Sequence, residues 1–360
     1  ASSGQTPLLL WLLVLKVPTV RVIVHTGHGL HMDDCIISRP HFDPEGVIVV
    51  FTPEGSPGSL TPLIFRHECL SITDSSVILY PTDGYGNPDM IRQMMQMEQP
   101  DAIMLVTDPR YFEWLFAMEN EIRKHCPIIY LNIWDDYPTP LYNKAFYESC
   151  DALLAISKQT KLINELVLGE KAENKVIKYV PHGLNEEIFK PLDDNDPQLV
   201  EFKKNLFGKD EKDFVLFFNS RNIRRKQIPD TMLAFRYFLD RLPKEKADKC
   251  AFILHTEVIS EHGTDLEAVR KLFFKDYPNA IYFSTQRLDQ QQLNMLYNIA
   301  DAQILLTSNE GWGLSLTEAI LAGTPIIANV TGGMQDQMRF EDEEGKWFEP
   351  TPQLPSNHTG

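Results

Sequence analysis

From about residue 75 onward, short apolar runs alternate with stretches whose apolar positions recur at helical spacing. Val77–Tyr80, Ala102–Val106, Ile128–Ile133 and Ala152–Ile156 have strand length and are apolar at consecutive positions. Consecutive apolar residues mark strands covered on both faces. Between them, Pro88–Met97, Arg110–Lys124 and Leu141–Ser149 read as helices. This alternation predicts βαβ units around a parallel sheet. Upstream, Val20–His25 and Val47–Phe51 read as strands, and Pro53–Pro62, rich in Gly, Ser and Pro, as a loop.

The pattern breaks at Lys190–Lys212, which is charged and carries Pro191 and Pro197 around a short amphipathic centre; it reads as a linker. The alternation then restarts. Phe214–Asn219, Ala251–Thr256, Ile281–Ser284, Ala302–Thr307 and Pro325–Val330 are strands, and Pro229–Leu242, Thr264–Lys275, Asp289–Ala300 and Leu316–Ala322 are helices. The expected fold class is α/β, with two Rossmann-like βαβ domains facing a cleft. Residues 1–189 form the first, 190–212 the linker, 213–345 the second, and 346–360 an irregular tail. Such domains bind ligands at the carboxyl ends of their strands.

Composition narrows the classes. The 360 residues are 43% hydrophobic and 23% charged, an ordinary globular profile. A net charge of -16 repels phosphate backbones, so no nucleic-acid partner is expected; a peripheral membrane contact stays open. The 5 cysteines include no Cys-x-x-Cys pair, which points to a reducing, cytoplasmic setting. The apolar run Leu8–Leu15 falls short of the ~20 residues of a bilayer span, and no basic region precedes it. It reads as a buried strand or an artefactual start.

Two segments carry candidate chemistry. In Leu306–Gln335 a strand runs into a glycine-containing loop, and a helix opens near Ser315. Unpaired backbone N–H groups at a helix N-terminus carry partial positive charge and suit a phosphate, and Gly311 and Gly313 let a ligand approach them. Glu310 and Glu318 flank this loop. Glu310 also reads as an exposed loop carboxylate, and Ser315-Leu-Thr-Glu318 also reads as a capping box, with Glu318 accepting from the Ser315 N–H. In Phe214–Lys226 a strand runs into Arg221, Arg224, Arg225 and Lys226, a basic cluster in an acidic chain. It reads either as a diphosphate site or as a solvated loop.

Taken together, Glu310-x7-Glu318 at a strand–loop–helix junction and Arg221-x4-Lys226 after the first strand of the second domain resemble family-4-type retaining glycosyltransferases of the GT-B fold. Val180–Pro191, Ala155–Lys158, Ala319–Pro325 and Thr331–Met334 are similar to further segments of that family, so the likeness spans roughly 75–345. The resemblance implies transfer of a sugar from a nucleotide diphosphate sugar, with retention, to an unknown glycan, lipid or protein acceptor. Arg221 and Lys226 would hold the donor diphosphate, and Glu310 the sugar hydroxyls. The backbone of Gly311, Trp312, Gly313 and Leu314 would line sugar and phosphate, with His182 and Gly183 also on the donor side. Glu318 would accept from the ribose hydroxyls. Asp135 and Asp136 are the acceptor-side candidates; the family often has a histidine near this point. No cofactor or metal is implied. The family also continues with further helices, so a C-terminally truncated chain is expected.

Other features compete with this reading. His25, His28 and His31, with Asp33 and Asp34 nearby, form a ligand-like set that would suit a zinc hydrolase, or simply a polar loop. Asp194-Asn-Asp196 is metal-like in pattern but reads as a solvated charge run. Asp108-Pro-Arg110 reads as a helix cap, with acceptor binding as the alternative, and Phe112, Trp114 and Phe116 read as core, with Trp114 also fitting a sugar-stacking platform. A nucleotide-sugar epimerase of the same fold and a non-catalytic sugar-nucleotide-binding fragment remain alternatives.

Overall fold

The computed structural model describes residues 85–329 and 331–338 in full, and the backbone of the strands Arg21–Thr26, Val47–Thr52, Leu63–Phe65, Ser76–Pro81, Phe340–Glu341 and Trp347–Phe348. The chain divides into two compact units, with the boundary between Gly183 and Leu184.

The N-terminal unit is built on an eight-stranded sheet. In chain order its strands are β1 (Arg21–Thr26), β2 (Val47–Thr52), β3 (Leu63–Phe65), β4 (Ser76–Pro81), β5 (Ala102–Val106), β6 (Ile128–Asn132), β7 (Ala152–Ala155) and β8 (Val176–Tyr179). Their spatial order is β3-β4-β2-β1-β5-β6-β7-β8, parallel except for β3 against β4. Every residue of β5 is buried, as its unbroken apolar run predicts. Helix α1 (Pro88–Glu98) starts where Asn87 accepts the Met90 N–H at 3.0 Å and Pro88 occupies the first turn.

The helix expected over Arg110–Lys124 is instead broken. A 3₁₀ turn (Pro109–Phe112), capped by Asp108 as anticipated, leads into α2 (Glu113–Phe116) and α3 (Glu119–Ile122). Met118 sits at the break with φ -111, and Phe112, Leu115, Met118 and Ile122 all reach one core. Phe112 and Phe116 are core residues; Trp114 packs on it half-buried and donates to the Tyr85 carbonyl at 3.1 Å. The unit closes with α4 (Lys144–Ser149), α5 (Lys158–Leu168) and β8, and β8 and α5 were not anticipated from the pattern.

The C-terminal unit holds β9 (Phe214–Asn219), β10 (Cys250–His255), β11 (Ile281–Ser284), β12 (Ala302–Leu305) and β13 (Ile326–Ala328) in the order β11-β10-β9-β12-β13, all parallel. Chain order reverses at β9, whose neighbours are β10 on one side and β12 on the other. The loops leaving the carboxyl ends of β9 and β12 therefore lie side by side at the point where chain order reverses, the usual place for a ligand in such a sheet. The flanking helices are α6 (Pro197–Phe207), α7 (Ile228–Asp240), α8 (Lys244–Ala247), α9 (Leu266–Phe273), α10 (Gln290–Ile299), α11 (Leu314–Ala322) and α12 (Met334–Gln337).

The segment read as a linker belongs to this unit. Asp196 caps α6 by accepting the Gln198 and Leu199 N–H groups, with Pro197 in the first turn. Leu199 and Phe207 then bury against Phe189, Phe217 and Ala251. Charged residues on its outer face had hidden this anchoring stripe. Asp196 thus works as a helix cap, in keeping with the non-metal reading of Asp194-Asn-Asp196. Among the described residues no group of three or more His, Cys, Asp and Glu side chains is placed to hold a metal. The His28, His31, Asp33 and Asp34 set, the His25 side chain and Leu8–Leu15 lie outside the described residues. No helix among the described residues is long and apolar enough to cross a membrane.

Candidate functional site

The two segments singled out in the sequence meet because β9 and β12 are neighbours, in the register Ala302↔Leu216 and Gln303↔Phe217. Each strand delivers its loop to the same carboxyl end. The loops are then stitched together: the Ser308 N–H donates to the Arg225 carbonyl at 2.8 Å, and the Thr307 hydroxyl to the same oxygen at 3.2 Å.

The basic loop is held from beneath by Asn222, which is almost fully buried. Its amide donates to the carbonyls of Glu257 at 3.0 Å and Thr264 at 2.6 Å, and its carbonyl accepts the Thr264 N–H at 3.1 Å. A 3₁₀ turn over Arg224–Lys226 follows, ending at Gln227 with φ 49. This turn carries Lys226 into the interior, where only 6% of it is exposed. Its ammonium contacts the Glu310 carboxylate directly. The Arg225 guanidinium lies 3.2 Å from the same oxygen and also donates to the Asn309 carbonyl. Glu310 is therefore a buried carboxylate between two cations, not an exposed loop residue. Burial pushes its pKa up, but Lys226 and Arg225 outweigh burial and hold it below the usual glutamate value.

Arg221 sits five positions before Lys226 in the same loop and stays apart from this cluster. Its Nε is enclosed and makes no hydrogen bond among the described residues.

The glycine loop is shaped by close backbone packing. Gly313, at φ 88, is the residue before α11, and no side chain caps that helix. Ser315 lies inside the helix, so the capping box with Glu318 does not form. A side chain at Gly332 (φ 54) would meet the Glu310 carbonyl at 1.9 Å, and one at Gly333 the Gly311 carbonyl at 2.2 Å. The Gly333 N–H donates to the Glu310 carbonyl at 3.0 Å. The Trp312 indole donates to the Thr317 hydroxyl at 3.0 Å; that hydroxyl donates to Gln337, and the Gln337 amide returns to the Trp312 carbonyl at 2.5 Å. Gly311–Gly313 is thus clamped between α11 and α12, at the positive end of the α11 dipole.

Glu318 is buried as well, and one of its oxygens accepts from the Tyr297 hydroxyl at 2.5 Å and the Asn219 amide at 3.2 Å. Burial, and then the charge of Glu318, push the Tyr297 pKa well above its ordinary value.

Asn219, Asn222 and Tyr297 were not assigned roles from the sequence, and Arg225 was read only as a member of the basic cluster. Arg225 and Asn219 stand beside marked residues and were within reach of that reading. Tyr297 looks like any aromatic on a helix's buried face, and nothing local marks it.

The remaining expected site residues belong to the N-terminal unit. Asp135 and Asp136 follow β6; Asp136 accepts the Tyr137 N–H at 2.8 Å. Trp134 is fixed by Asn132, whose side-chain Oδ1 accepts the Trp134 backbone N–H at 3.0 Å. His182 and Gly183 close this unit. His182 is buried, which lowers its pKa to about 3 and keeps it neutral. A cavity of about 650 Å³ in the C-terminal unit lies by the amino ends of β9, β10 and β11, away from the chemistry, and Asp248 and Asp213 neutralise its Lys244 and Lys249.

Comparison with known proteins bears on the family and the fold. Residues 199–354 match the model of a family described as glycosyl transferases group 1. A D-inositol 3-phosphate glycosyltransferase of Corynebacterium jeikeium is 26% identical over 189 residues, covering 52% of this chain and 43% of that protein. The match thus spans less than half the length of that curated relative. A structure described as trehalose-6-phosphate from E. coli bound with UDP-2-fluoro glucose superposes with a TM-score of 0.62 at 14% identity, over 88% of this chain and 86% of that one. The sucrose-phosphate synthase of Thermosynechococcus elongatus superposes with a TM-score of 0.60 at 15% identity, over 88% and 83%. At these identities the likeness establishes the fold, an α/β two-domain fold of the GT-B type.

Proposed function

We propose that this chain, a group 1 glycosyltransferase by its residues 199–354, transfers a sugar from a nucleotide diphosphate sugar to an acceptor with retention at the anomeric carbon. The observation that carries this reading is the buried Lys226–Glu310 ion pair, joined by the half-buried Arg225, at the β9/β12 switch point, beside the N-terminus of α11.

As the bond between the anomeric carbon and the donor phosphate breaks, negative charge builds on the departing diphosphate. Fixed cations and helix N–H groups aimed at that charge lower the barrier without reorganising. Arg221 and Lys226 bind the diphosphate, and the enclosed Nε of Arg221 is a donor that an anion would satisfy. Glu310 holds Lys226 in place and faces the donor sugar hydroxyls. Gly311, Trp312, Gly313 and Leu314 line sugar and phosphate, and Glu318 accepts from the ribose. The acceptor hydroxyl passes its proton to a donor phosphate oxygen as it attacks the anomeric carbon. Positioning then supplies the rest of the rate. Within the N-terminal unit, the resemblance gives His182 and Gly183 as donor-side candidates and Asp135 and Asp136 as acceptor-side candidates. Arginine, lysine and the helix N-terminus supply the charge a metal would otherwise bring, and the enzyme works in the cytoplasm without a cofactor.

The test is incubation with UDP- and GDP-hexoses, with and without an acceptor; inositol 3-phosphate is a first choice, given the curated relative. Acceptor-dependent release of nucleoside diphosphate and a product of unchanged anomeric configuration support the reading. A new sugar nucleotide formed from donor alone would make the protein an epimerase. Binding without turnover across acceptors would make it a non-catalytic sugar-nucleotide-binding protein.

A further inference from the structure

We infer that Tyr297, with Asn219, is a positioning residue that sets the orientation of Glu318 for reading the ribose hydroxyls of the donor nucleotide; this rests on the donor site proposed above. Three elements converge at Glu318. It projects from α11, Tyr297 from α10, and Asn219 is the last residue of β9, directly before the basic loop. The Asn219 amide donates to the Tyr297 hydroxyl at 3.0 Å and to Glu318 Oε2 at 3.2 Å, and the Tyr297 hydroxyl donates to that same Oε2 at 2.5 Å. A closed three-membered network of this kind fixes the plane of the carboxylate, and with it the direction of Oε1.

The ring that carries the hydroxyl is itself immobilised. Tyr297 is fully buried and packs edge-on against Phe217 (centroids 5.0 Å apart) and Phe189 (6.3 Å). Its own carbonyl accepts the Thr324 hydroxyl at 2.7 Å, tying α10 to the turn after α11. The phenol stays protonated across the working pH range, so it remains a donor. A buried carboxylate is a costly group to keep for scaffolding alone. A glutamine would join β9, α10 and α11 as well. A carboxylate is better suited to accept from a sugar hydroxyl.

The experiment compares binding of UDP and 2′,3′-dideoxy-UDP, with the guanosine pair run in parallel, to the wild type and to Tyr297→Phe, Asn219→Ala and Glu318→Ala. The wild type is expected to prefer the ribonucleotide, and Glu318→Ala to lose that preference. Tyr297→Phe keeps the ring packing and is expected to lose about tenfold in affinity for the ribonucleotide. Its affinity for the dideoxy nucleotide should stay within about twofold of the wild type, because an interaction the ligand cannot make is not lost. In turnover, KM for the donor rises while kcat holds. Asn219→Ala carries the same prediction should Tyr297→Phe fold poorly. Equal loss for both nucleotides, or an undiminished preference in both variants, would reduce the network to a structural role and overturn the inference. Tight binding with no ribose preference in the wild type would overturn it while leaving the diphosphate site standing. Binding of neither base in either form would overturn the donor-site reading itself.

Discussion

Replacing Lys226 by methionine keeps most of the buried stem and removes only the charge that faces Glu310. The side chains of both partners are more than nine-tenths buried. Removing one member of a buried ion pair costs about 3–5 kcal/mol, because the other charge is left uncompensated in low dielectric. Arg225 remains 3.2 Å away but is one-third exposed, so the expected cost lies at the lower end, about 3 kcal/mol at pH 7. For a unit of this size that is a fall of about 6–12 °C in Tm. Lys226→Met/Glu310→Gln removes both charges and is expected to recover to within about 1 kcal/mol of the wild type. Nucleotide binding should be lost in both. The sign with pH is fixed by Glu310, whose folded pKa is held below the unfolded value near 4.5. Its pairing therefore stabilises the fold fully above that value, and the contribution disappears as pH falls through the folded pKa. The gap between wild type and Lys226→Met should narrow in the same window. Urea denaturation across pH reads all of this. A single variant within 1 kcal/mol of the wild type at pH 7, or a double variant no more stable than the single, would refute the reasoning.

Other perturbations have defined outcomes. Gly332→Ala forces a Cβ to 1.9 Å from the Glu310 carbonyl and should cost well over the ~1 kcal/mol of placing alanine in the left-handed region; Gly323→Ala, at φ 76 and ψ 13 with its nearest packing neighbour at 3.4 Å, should cost only that amount, as measured by denaturant midpoints. His182, buried and neutral down to about pH 3, should make the fold lose stability as pH falls from 6.5 toward 3, because the unfolded chain binds a proton that the folded chain refuses. By pH 5 the loss is about 2 kcal/mol, and His182→Gln should flatten that limb of the pH profile. Chelation of divalent metals with EDTA is expected to leave turnover unchanged; loss of turnover restored by a metal would contradict the proposed charge stabilisation by arginine and lysine.

Legibility in the sequence followed the range of the interaction. Strands such as β5 and β9 were plain because unbroken apolar runs are local signals, and their order placed the β9 and β12 loops at one end. Lys226 and Glu310, far apart in the chain, were named together through the family resemblance, and the pairing of β9 with β12 brings them into contact. What was missed depended on tertiary partners. Helix α6 hid behind the charges flanking Leu199 and Phe207. The Ser315–Glu318 spacing matches a capping box, but the turn at Gly313 starts the helix earlier and turns Glu318 toward Tyr297 and Asn219. Arg225 was read only as one more cation, since its contact with Glu310 exists only once the two loops meet.

The central claim is that the C-terminal unit binds a nucleoside diphosphate at its basic loop. Calorimetric titration of UDP and GDP into the wild type and Arg221→Ala/Lys226→Ala tests it most directly. The wild type is expected to bind one nucleotide in a saturable, salt-sensitive way, and a folded double variant to bind none. Absence of binding to the folded wild type, or binding that the double variant retains, would contradict it.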